Sequence, residues 1–342
     1  MVSVKRASST VSKRVKRVAK VTRTRRGASG PLRARRGTAR GARAVRVPRR
    51  AAAGAEGARP NLRLVPAKLV ADTVAALCKR MAVDLSPGYL DAMRRAVTEE
   101  RSETGIVVLN TLLQNAELAK SEGLPTCQDT GVTIVHVKAG ADVHIEGASL
   151  EEAVNAGVRR GYEEGYLRMS VVGDPLLQRV NTKTNTPAVM HYEVVPGDRI
   201  WIRVMEKGTG AENMSQLKML TPAGGVEGVK DFVMKVVDEA GPNACPPLIV
   251  GVGIGGTFDQ VGWLAKKAVM RVMGARNADP RYAALEEELR KMVNTIGSGP
   301  QGLGGVVTAL EVRVEVAPCH IGALPVAVNL ECHAHRVQEV TL

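Results

Sequence analysis

The stretch LIVGVGIGGT at residues 248–257 decides the fold class. Its first five residues form a continuous apolar run without alternation, which is typical of a buried strand. A helical pattern that runs on to Met273 follows the glycines, so we predict a buried strand followed by a helix. The glycines fit two uses: a phosphate loop at a helix N-terminus, although the spacing differs from G-x-G-x-x-G, or close packing of the backbone against a bulky group.

Helices and strands interleave on both sides of this stretch. Apolar residues at three- and four-residue steps predict a helical N-terminal part near residues 62–81, 87–100 and 104–120. Further helices are predicted at residues 149–167, 226–240 and 281–295, and strands at residues 132–137, 189–195, 199–205 and 306–316. Pro196–Asp198 is the predicted turn between the second and third of these strands. The predicted fold class is mixed α/β (α+β): a helical N-terminal part followed by interleaved helices and a mixed sheet.

Residues 1–60 differ from the rest of the chain in charge. They carry 19 of the 48 Lys and Arg residues and a single acid, Glu56, for a net charge of +18, whereas residues 61–342 have a net charge of −4. This basic arm has few large apolar side chains to offset the entropy of ordering, so we expect it to be disordered. Three roles fit the arm: contact with nucleic acid, an organellar transit peptide, or an inert extension. We expect residues 61–342 to form one globular domain.

Hydropathy and cysteine content indicate where in the cell the protein is expected. No stretch approaches the roughly 18 uncharged apolar residues of a membrane span, so no membrane partner is expected. The odd number of cysteines and the lack of a secretory segment favour reduced thiols in the cytoplasm. The five cysteines are Cys78, Cys127, Cys245, Cys319 and Cys332. Cys78 falls in a helical apolar pattern, and we interpret it as a small buried hydrophobe.

Three cysteines stand in turns and belong to no CxxC pair: Cys127, Cys245 and Cys332. Three separated thiolates suit a metal cluster that is held at three corners and open at the fourth, where a metal can act on a substrate. Gln128 and Asp129 follow the first cysteine directly. An Asp beside a metal can transfer protons, and a Gln can donate a hydrogen bond to a carboxylate.

The C-terminal stretch offers a competing metal hypothesis. Cysteine and histidine are zinc ligands, and five of them fall within residues 318–336: Cys319, His320, Cys332, His333 and His335. The lack of a CxxC knuckle and the long apolar gap between the two cysteines argue against zinc. We interpret His333 and His335 as hydrogen-bonded structural residues.

Two more polar segments suit an anionic ligand. Arg168 lies in YLRMS at residues 166–170, upstream of hydroxyl and amide residues at 181–187. An arginine among such groups can clamp a carboxylate with two hydrogen bonds, although a solvated arginine at a helix end is the plainer alternative. KGTGAEN at residues 207–213 is a glycine loop that can present N–H groups to an anion.

These segments together resemble one known family. From about residue 65 to residue 342 the chain is similar to the α subunit, or N-terminal catalytic domain, of the class I fumarase and L-tartrate dehydratase iron–sulfur hydro-lyases. The shared motifs are CQDTG at 127–131, YLRMS at 166–170, NTKTNTPA at 181–188, KGTGAEN at 207–213, CPP at 245–247, GVGIGG at 251–256 and LPVAVNLEC at 324–332. The basic arm has no counterpart in the family pattern.

The resemblance implies a [4Fe–4S] cluster ligated by Cys127, Cys245 and Cys332, whose open iron would bind the substrate and act as a Lewis acid. It implies a domain of this catalytic type at residues 61–342. It further implies catalytic roles for Gln128, Asp129 and His320, and substrate binding by Gln128, Asp129, Arg168 and Gly210. Cys319 stands where the family often has other small residues and is excluded as a ligand.

The resemblance also implies a partner. In the family a β subunit or second domain supplies further basic residues, so we expect this chain, which ends soon after Cys332, to need a β subunit in an α2β2 hetero-oligomer. The predicted substrate is a C4 dicarboxylate. The predicted reaction is reversible hydration of fumarate to L-malate, with L-tartrate dehydration as the alternative. Two hypotheses from other classes are a nucleic-acid-binding protein that uses the arm and a non-enzymatic redox or iron sensor.

Overall fold

The computed structural model describes residues 62–342. The first elements are β1 (Arg63–Pro66), α1 (Ala67–Val83), α2 (Pro87–Glu99), α3 (Glu103–Glu122), β2 (Val132–Gly140), β3 (Val143–Glu146), α4 (Leu150–Glu164), β4 (Val189–Val195) and β5 (Ile200–Lys207). They are followed by α5 (Thr209–Asn213), β6 (Gln216–Leu220), α6 (Gly225–Ala240), β7 (Leu248–Gly255), α7 (Phe258–Val269), α8 (Pro280–Val293), β8 (Ala309–Ala317), β9 (Leu324–Glu331) and β10 (Arg336–Thr341). The mixed α/β fold class and the helical N-terminal part are confirmed. The predicted disordered arm lies outside the described residues.

The helix ends follow the local sequence. The Ser102 hydroxyl accepts a hydrogen bond from the Gly105 N–H at the start of α3, and Gly123 ends this helix with a φ of 68°. Glycine adopts this left-handed conformation without a side-chain clash, so the chain can leave α3 toward Cys127. Ser149 and Glu152 form the predicted capping box of α4.

The first of two four-stranded sheets has the order β10-β5-β2-β4. β2 pairs in parallel with β4 and antiparallel with β5. α1 and α4 cover one face of this sheet, where Val74, Val158 and Ile202 are buried together. β1 and β3 form a separate parallel pair.

The turn at Pro196–Asp198 connects two strands that do not pair with each other. β4 and β5 lie on opposite sides of β2, so the connection passes over the end of β2. There the Gly140 N–H donates to the Arg199 carbonyl oxygen at 2.8 Å. A Cβ on Gly140 would lie 2.2 Å from the Gly197 carbonyl oxygen, so the crossing requires a glycine. The turn was predicted correctly, but its local sequence does not reveal that β2 lies between the two strands that the turn connects.

The second sheet has the order β6-β9-β7-β8. β7, the apolar strand at Leu248–Gly255, lies inside the sheet, parallel to β8 and antiparallel to β9. α6 and α8 cover one face, where Val236 and Leu289 are buried, and α7 covers the other through Val261 and Ala265. Helices on both faces explain why residues 248–252 are apolar without alternation.

The glycines of β7 serve helix packing. A Cβ on Gly251 would lie 2.3 Å from the Ala265 carbonyl oxygen, and a Cβ on Gly253 would lie 2.3 Å from the Val261 carbonyl oxygen. The backbone of α7 therefore occupies the space beside both glycines. The sequence suggested a phosphate loop or close packing of the backbone against a bulky group. Gly251 and Gly253 do pack closely, and the group they pack against is a helix.

β8 begins at Ala309, three residues later than predicted, because side chains hold the backbone before it. Glu100 accepts hydrogen bonds from the N–H groups of Val306 and Val307. Asn294 accepts hydrogen bonds from those of Thr308 and Ala309. No helix in the described part of the chain is long and apolar enough to cross a membrane.

Candidate active site

The three cysteines predicted as ligands lie in loops at one end of the second sheet. Cys127 lies between α3 and β2, Cys245 lies between α6 and β7, and Cys332 directly follows β9. The His333 N–H donates to the Cys245 carbonyl oxygen at 3.1 Å, which joins the second and third loops. Burial and, next, the charge of the neighbouring Cys127 raise the pKa of Cys245. The loops that carry these cysteines are far apart in the sequence and lie near one another in the fold.

Burial determines the protonation state of two of these thiols when no metal is bound. Burial and the adjacent Glu331 carboxylate raise the pKa of Cys332 to about 12. Burial also raises the pKa of Cys245. Thiols with raised pKa values are protonated at neutral pH and become thiolates when a metal ion replaces the proton.

A buried carboxylate supports the Cys245 loop from a distance. Glu100 accepts hydrogen bonds from four backbone N–H groups, those of Arg101, Ser102, Val306 and Val307. In the loop that Glu100 holds, Gln301 donates from both its backbone N–H and its side-chain amide to the Pro246 carbonyl oxygen, at 2.7 Å each. The residue after Cys245 is thereby fixed by a segment more than fifty residues away.

Asp129 is held as a carboxylate beside the thiols. Its Oδ2 accepts hydrogen bonds from the Thr209 N–H at 2.9 Å and the Thr209 hydroxyl at 3.1 Å, and its Oδ1 accepts one from the Gly131 N–H at 3.0 Å. Burial alone would raise the pKa of Asp129, but these hydrogen bonds and the charge of Arg336 lower it below its usual value. Asp129 is therefore ionised and fixed in orientation.

The Arg168 motif and the residue 181–188 motif pack against the segment that carries Asp129. The Thr130 hydroxyl donates to the Arg168 carbonyl oxygen at 2.9 Å. The Asn185 amide donates to the Gly131 carbonyl oxygen at 3.1 Å and accepts from the Ser170 N–H at 2.8 Å. Asn185 is buried, so a single amide joins three motifs that are separate in the sequence.

The remaining predicted residues fall in two places. Gln128 and Arg168 are exposed next to the Asp129 segment, and Gly210 lies in α5 beside Thr209. His320 lies in the exposed loop between β8 and β9, where its Nδ1 accepts from the Gly322 N–H. β9 has eight residues, which at about 3.3 Å per residue places its two ends roughly 25 Å apart. The structure does not bring His320 to Cys332 within this chain.

A buried group of charged residues was not predicted from the sequence. Lys207 is 1% exposed, and its Nζ lies 3.1 Å from Glu331 Oε2 and 3.4 Å from Glu212 Oε2. Glu212 also pairs with Lys266 at 2.5 Å and accepts from the Asn329 amide at 2.8 Å. Burial alone would lower the pKa of Lys207, but the charges of Glu331 and Glu212 raise it. Of the charged residues in this group, Lys207, Glu212 and Glu331 lie within the shared motifs. That position was the signal by which the sequence could have indicated them.

A cleft of about 470 Å³ adjoins this charged group. It lies between β2 and β4 of the first sheet and α7, β6 and β9 of the second, and Lys207, Lys266 and His191 contribute to its wall. Thr209 also lines the cleft and donates to Asp129. The cleft therefore reaches the immediate neighbours of the cysteine loops.

Comparison with known proteins identifies the family of this chain. Residues 71–341 match the family Fumerase, described as fumarate hydratase (Fumerase). The chain belongs to this fumarate hydratase family. It is 40% identical over 273 residues to a protein named "Putative L(+)-tartrate dehydratase subunit alpha" from Methanocaldococcus jannaschii, a match that covers 78% of this chain and 95% of that protein. It is 33% identical over 273 residues to the L(+)-tartrate dehydratase subunit alpha of Escherichia coli strain UTI89, covering 79% of this chain and 88% of that protein.

As a member of the fumarate hydratase family, the chain is a hydro-lyase enzyme. Cys127 and Cys245 pack against the core cluster that contains Cys332. Within residues 62–342 no three Cys, His, Asp or Glu side chains stand close enough to hold a single metal ion. The other two thiols lie elsewhere: Cys78 is buried in α1, and the exposed Cys319 donates to the Ala323 carbonyl oxygen.

Proposed function

We propose that this chain is the α subunit of an iron–sulfur hydro-lyase that reversibly hydrates fumarate to L-malate. The convergence of Cys127, Cys245 and Cys332 beside the ionised Asp129 carries this proposal. Membership in the fumarate hydratase family supports the reaction class.

The three cysteines would hold a [4Fe–4S] cluster, which supplies a Lewis acid for the carbon–oxygen bond when bound. In the hydration direction Asp129 would take up a proton from the adding water, and in the dehydration direction it would return that proton to the departing hydroxide, because its carboxylate is ionised and fixed by Thr209 and Gly131. Gln128 and Arg168 have exposed side chains next to Asp129 and would bind the substrate carboxylates.

L(+)-Tartrate is the second candidate substrate. Two of the most similar relatives carry tartrate dehydratase names, and that observation favours it specifically. Both L-malate and tartrate are C4 dicarboxylates with a hydroxyl next to a carboxylate, so the same arrangement of Asp129, Gln128 and Arg168 suits either. The difference lies in a second hydroxyl, which requires its own hydrogen-bond partner.

A β subunit would complete the enzyme. The relatives are named as alpha subunits, which supports a separate partner for this chain. We propose an α2β2 assembly of the two subunits. The five cysteines are free, which supports a reducing compartment such as the cytoplasm.

The test is a substrate panel on the chain purified anaerobically together with its β subunit. We expect an iron–sulfur absorption band and turnover of fumarate, with L-malate as product. Faster turnover of L(+)-tartrate would assign the alternative substrate, and turnover of neither dicarboxylate would contradict the proposal.

Cys245→Ala tests the cluster ligands, with Cys319→Ala as the matched control. Cys245 lies in the converging loops, whereas Cys319 lies in the exposed β8–β9 loop. We expect loss of the absorption band and of turnover only in the Cys245 variant. Full activity of Cys245→Ala would refute the ligand assignment.

A further inference from the structure

Arg336 is a buried arginine without a protein partner. It is the first residue of β10 and is 1% exposed. Its Nε, Nη1 and Nη2 atoms form no hydrogen bond to any residue in the described range 62–342. A buried guanidinium without hydrogen bonds is strongly unfavourable, so this side chain needs a binding partner of another kind.

The rest of the fold shows what a satisfied buried arginine looks like. Arg313 is equally buried, but its Nε lies 2.8 Å from Glu311 Oε2 and its Nη1 donates to the Val269 carbonyl oxygen at 2.9 Å. Lys207, also buried, pairs with Glu331 at 3.1 Å. The unpaired state of Arg336 is therefore a property of its site and not of the interior as a whole.

The nearest cross-strand acid does not neutralise Arg336. Glu206 lies directly opposite it in the β10–β5 pairing, yet the two side chains form neither a hydrogen bond nor an ion pair. Burial raises the pKa of Glu206 to about 8, so this group is mostly an uncharged acid at neutral pH. The charges of the two side chains interact, but the N–H groups of Arg336 remain available to another group.

The guanidinium borders the space between a thiol and the candidate catalytic carboxylate. A Cβ placed on Gly208 would lie 3.6 Å from Arg336 Nη2, 3.6 Å from Asp129 Oδ2 and 3.9 Å from Cys332 Sγ. The three groups therefore surround one small volume that Gly208 leaves free. Any side chain at residue 208 would enter this volume.

We propose that Arg336 is a positioning residue for the iron–sulfur cluster: its guanidinium donates hydrogen bonds to the sulfur atoms on the Cys332 side and offsets their negative charge. This rests on the proposed function. Arginine suits the task because its rigid fork carries five N–H donors and stays charged when buried. Hydrogen bonds to the sulfurs and nearby charge set the potential of such clusters, and groups behind the ligands help to retain the metal.

The test compares Arg336→Gln, Arg336→Lys and the matched control Arg313→Lys, each purified anaerobically with the β subunit. The reduction potential is measured by an EPR-monitored titration, and cluster retention is measured as the rate of iron loss to a chelator. We expect Arg336→Gln to shift the potential to a more negative value and to lose iron about ten-fold faster, the effect of one charged hydrogen bond. Arg336→Lys should keep the potential closer to that of the unmodified protein and still lose iron faster, and Arg313→Lys should change neither quantity.

Three outcomes overturn the proposal. An Arg336→Gln protein with unchanged potential and iron loss shows that Arg336 does not act on the cluster. A variant that changes only the KM for the dicarboxylate assigns Arg336 to substrate binding instead. If Arg336→Gln does not fold, Arg336→Lys takes its place. An unchanged potential and an unchanged rate of iron loss in Arg336→Lys would then show that Arg336 does not act on the cluster. A missing cluster signal in the unmodified protein contradicts the proposed function itself. Failure of the proposed function can therefore be distinguished from failure of the Arg336 proposal.

Discussion

Three acidic side chains in or next to the core differ in charge state because their hydrogen bonds differ. Glu100 and Asp129 each accept hydrogen bonds from several N–H groups, which outweigh burial and lower their pKa values. Glu206 accepts no hydrogen bond within residues 62–342, and burial raises its pKa to about 8. Hydrogen bonds from N–H groups are thus more important than the depth of burial in deciding which of these acids is ionised.

Glu206 makes the stability of the fold depend on pH. Between the ordinary pKa near 4.5 and the folded value of about 8, the unfolded chain has lost this proton while the folded chain keeps it. The free energy of unfolding therefore falls as pH rises through this range, by at most about 1.4 kcal/mol per pH unit. We expect Glu206→Gln to remove this contribution, so that its stability relative to the unmodified protein grows from pH 5 to pH 8. Urea unfolding at several pH values measures the difference.

Glu193→Gln is the control for this experiment. Glu193 lies in the same sheet, and although burial opposes it, the charges of Lys267 and His136 lower its pKa. It is ionised in both the folded and the unfolded chain above pH 5, so its variant should show a constant difference. A constant difference for Glu206→Gln as well would contradict the assignment of a neutral buried acid.

At the scale of elements, the candidate site lies in loops at the ends of strands and helices, whereas the strands and helices themselves form the core. Cys332 directly follows β9, whereas Cys127 and Cys245 lie in the loops that precede β2 and β7. α7 packs so closely on β7 that its backbone occupies the side-chain positions of two glycines. A displacement of α7 would therefore be transmitted to the strand that begins beside Cys245.

Gly251→Ala should destabilise the fold strongly. The new Cβ would lie 2.3 Å from the Ala265 carbonyl oxygen and 2.8 Å from Val269 Cγ1, so backbone must move. We expect a loss of roughly 3 kcal/mol or more in the free energy of unfolding, the upper end for overpacking. Urea unfolding measures it.

Gly228→Ala in α6 is the matched control. Its Cβ would meet only Leu220 Cδ1, at an ordinary 3.8 Å. Alanine is the better helix former by roughly 0.5–1 kcal/mol, so this variant should be as stable as the unmodified protein or slightly more stable. A Gly251→Ala protein that behaves like Gly228→Ala would show that α7 does not pack as described.

At the scale of the whole molecule, charge is divided between two parts of the chain. Residues 1–60 carry a net charge of +18 and residues 61–342 a net charge of −4. The family match begins at residue 71, and the site described above lies entirely within residues 62–342. We therefore expect catalysis not to require the basic arm.

Deletion of residues 1–60 should leave kcat and KM for the dicarboxylate unchanged. If the arm contacts nucleic acid, the full chain should be retained on DNA at low salt and released as salt rises, and the deletion should abolish retention. Turnover and DNA retention of the two proteins are the measurements. A large loss of turnover on deletion would contradict the separation of the two parts.

Local sequence determined most helices and strands and the turns at residues 123 and 196–198, because periodicity and turn chemistry act over a few residues. It also singled out the three cysteines of the candidate site. Only the tertiary structure decided that β2 separates β4 from β5, that α7 fills the space beside the β7 glycines, and that His320 lies at the far end of β9 from Cys332. It also decided that Arg336 is buried without a partner beside Asp129 and Cys332. These features depend on contacts between segments far apart in the chain, which no local pattern encodes.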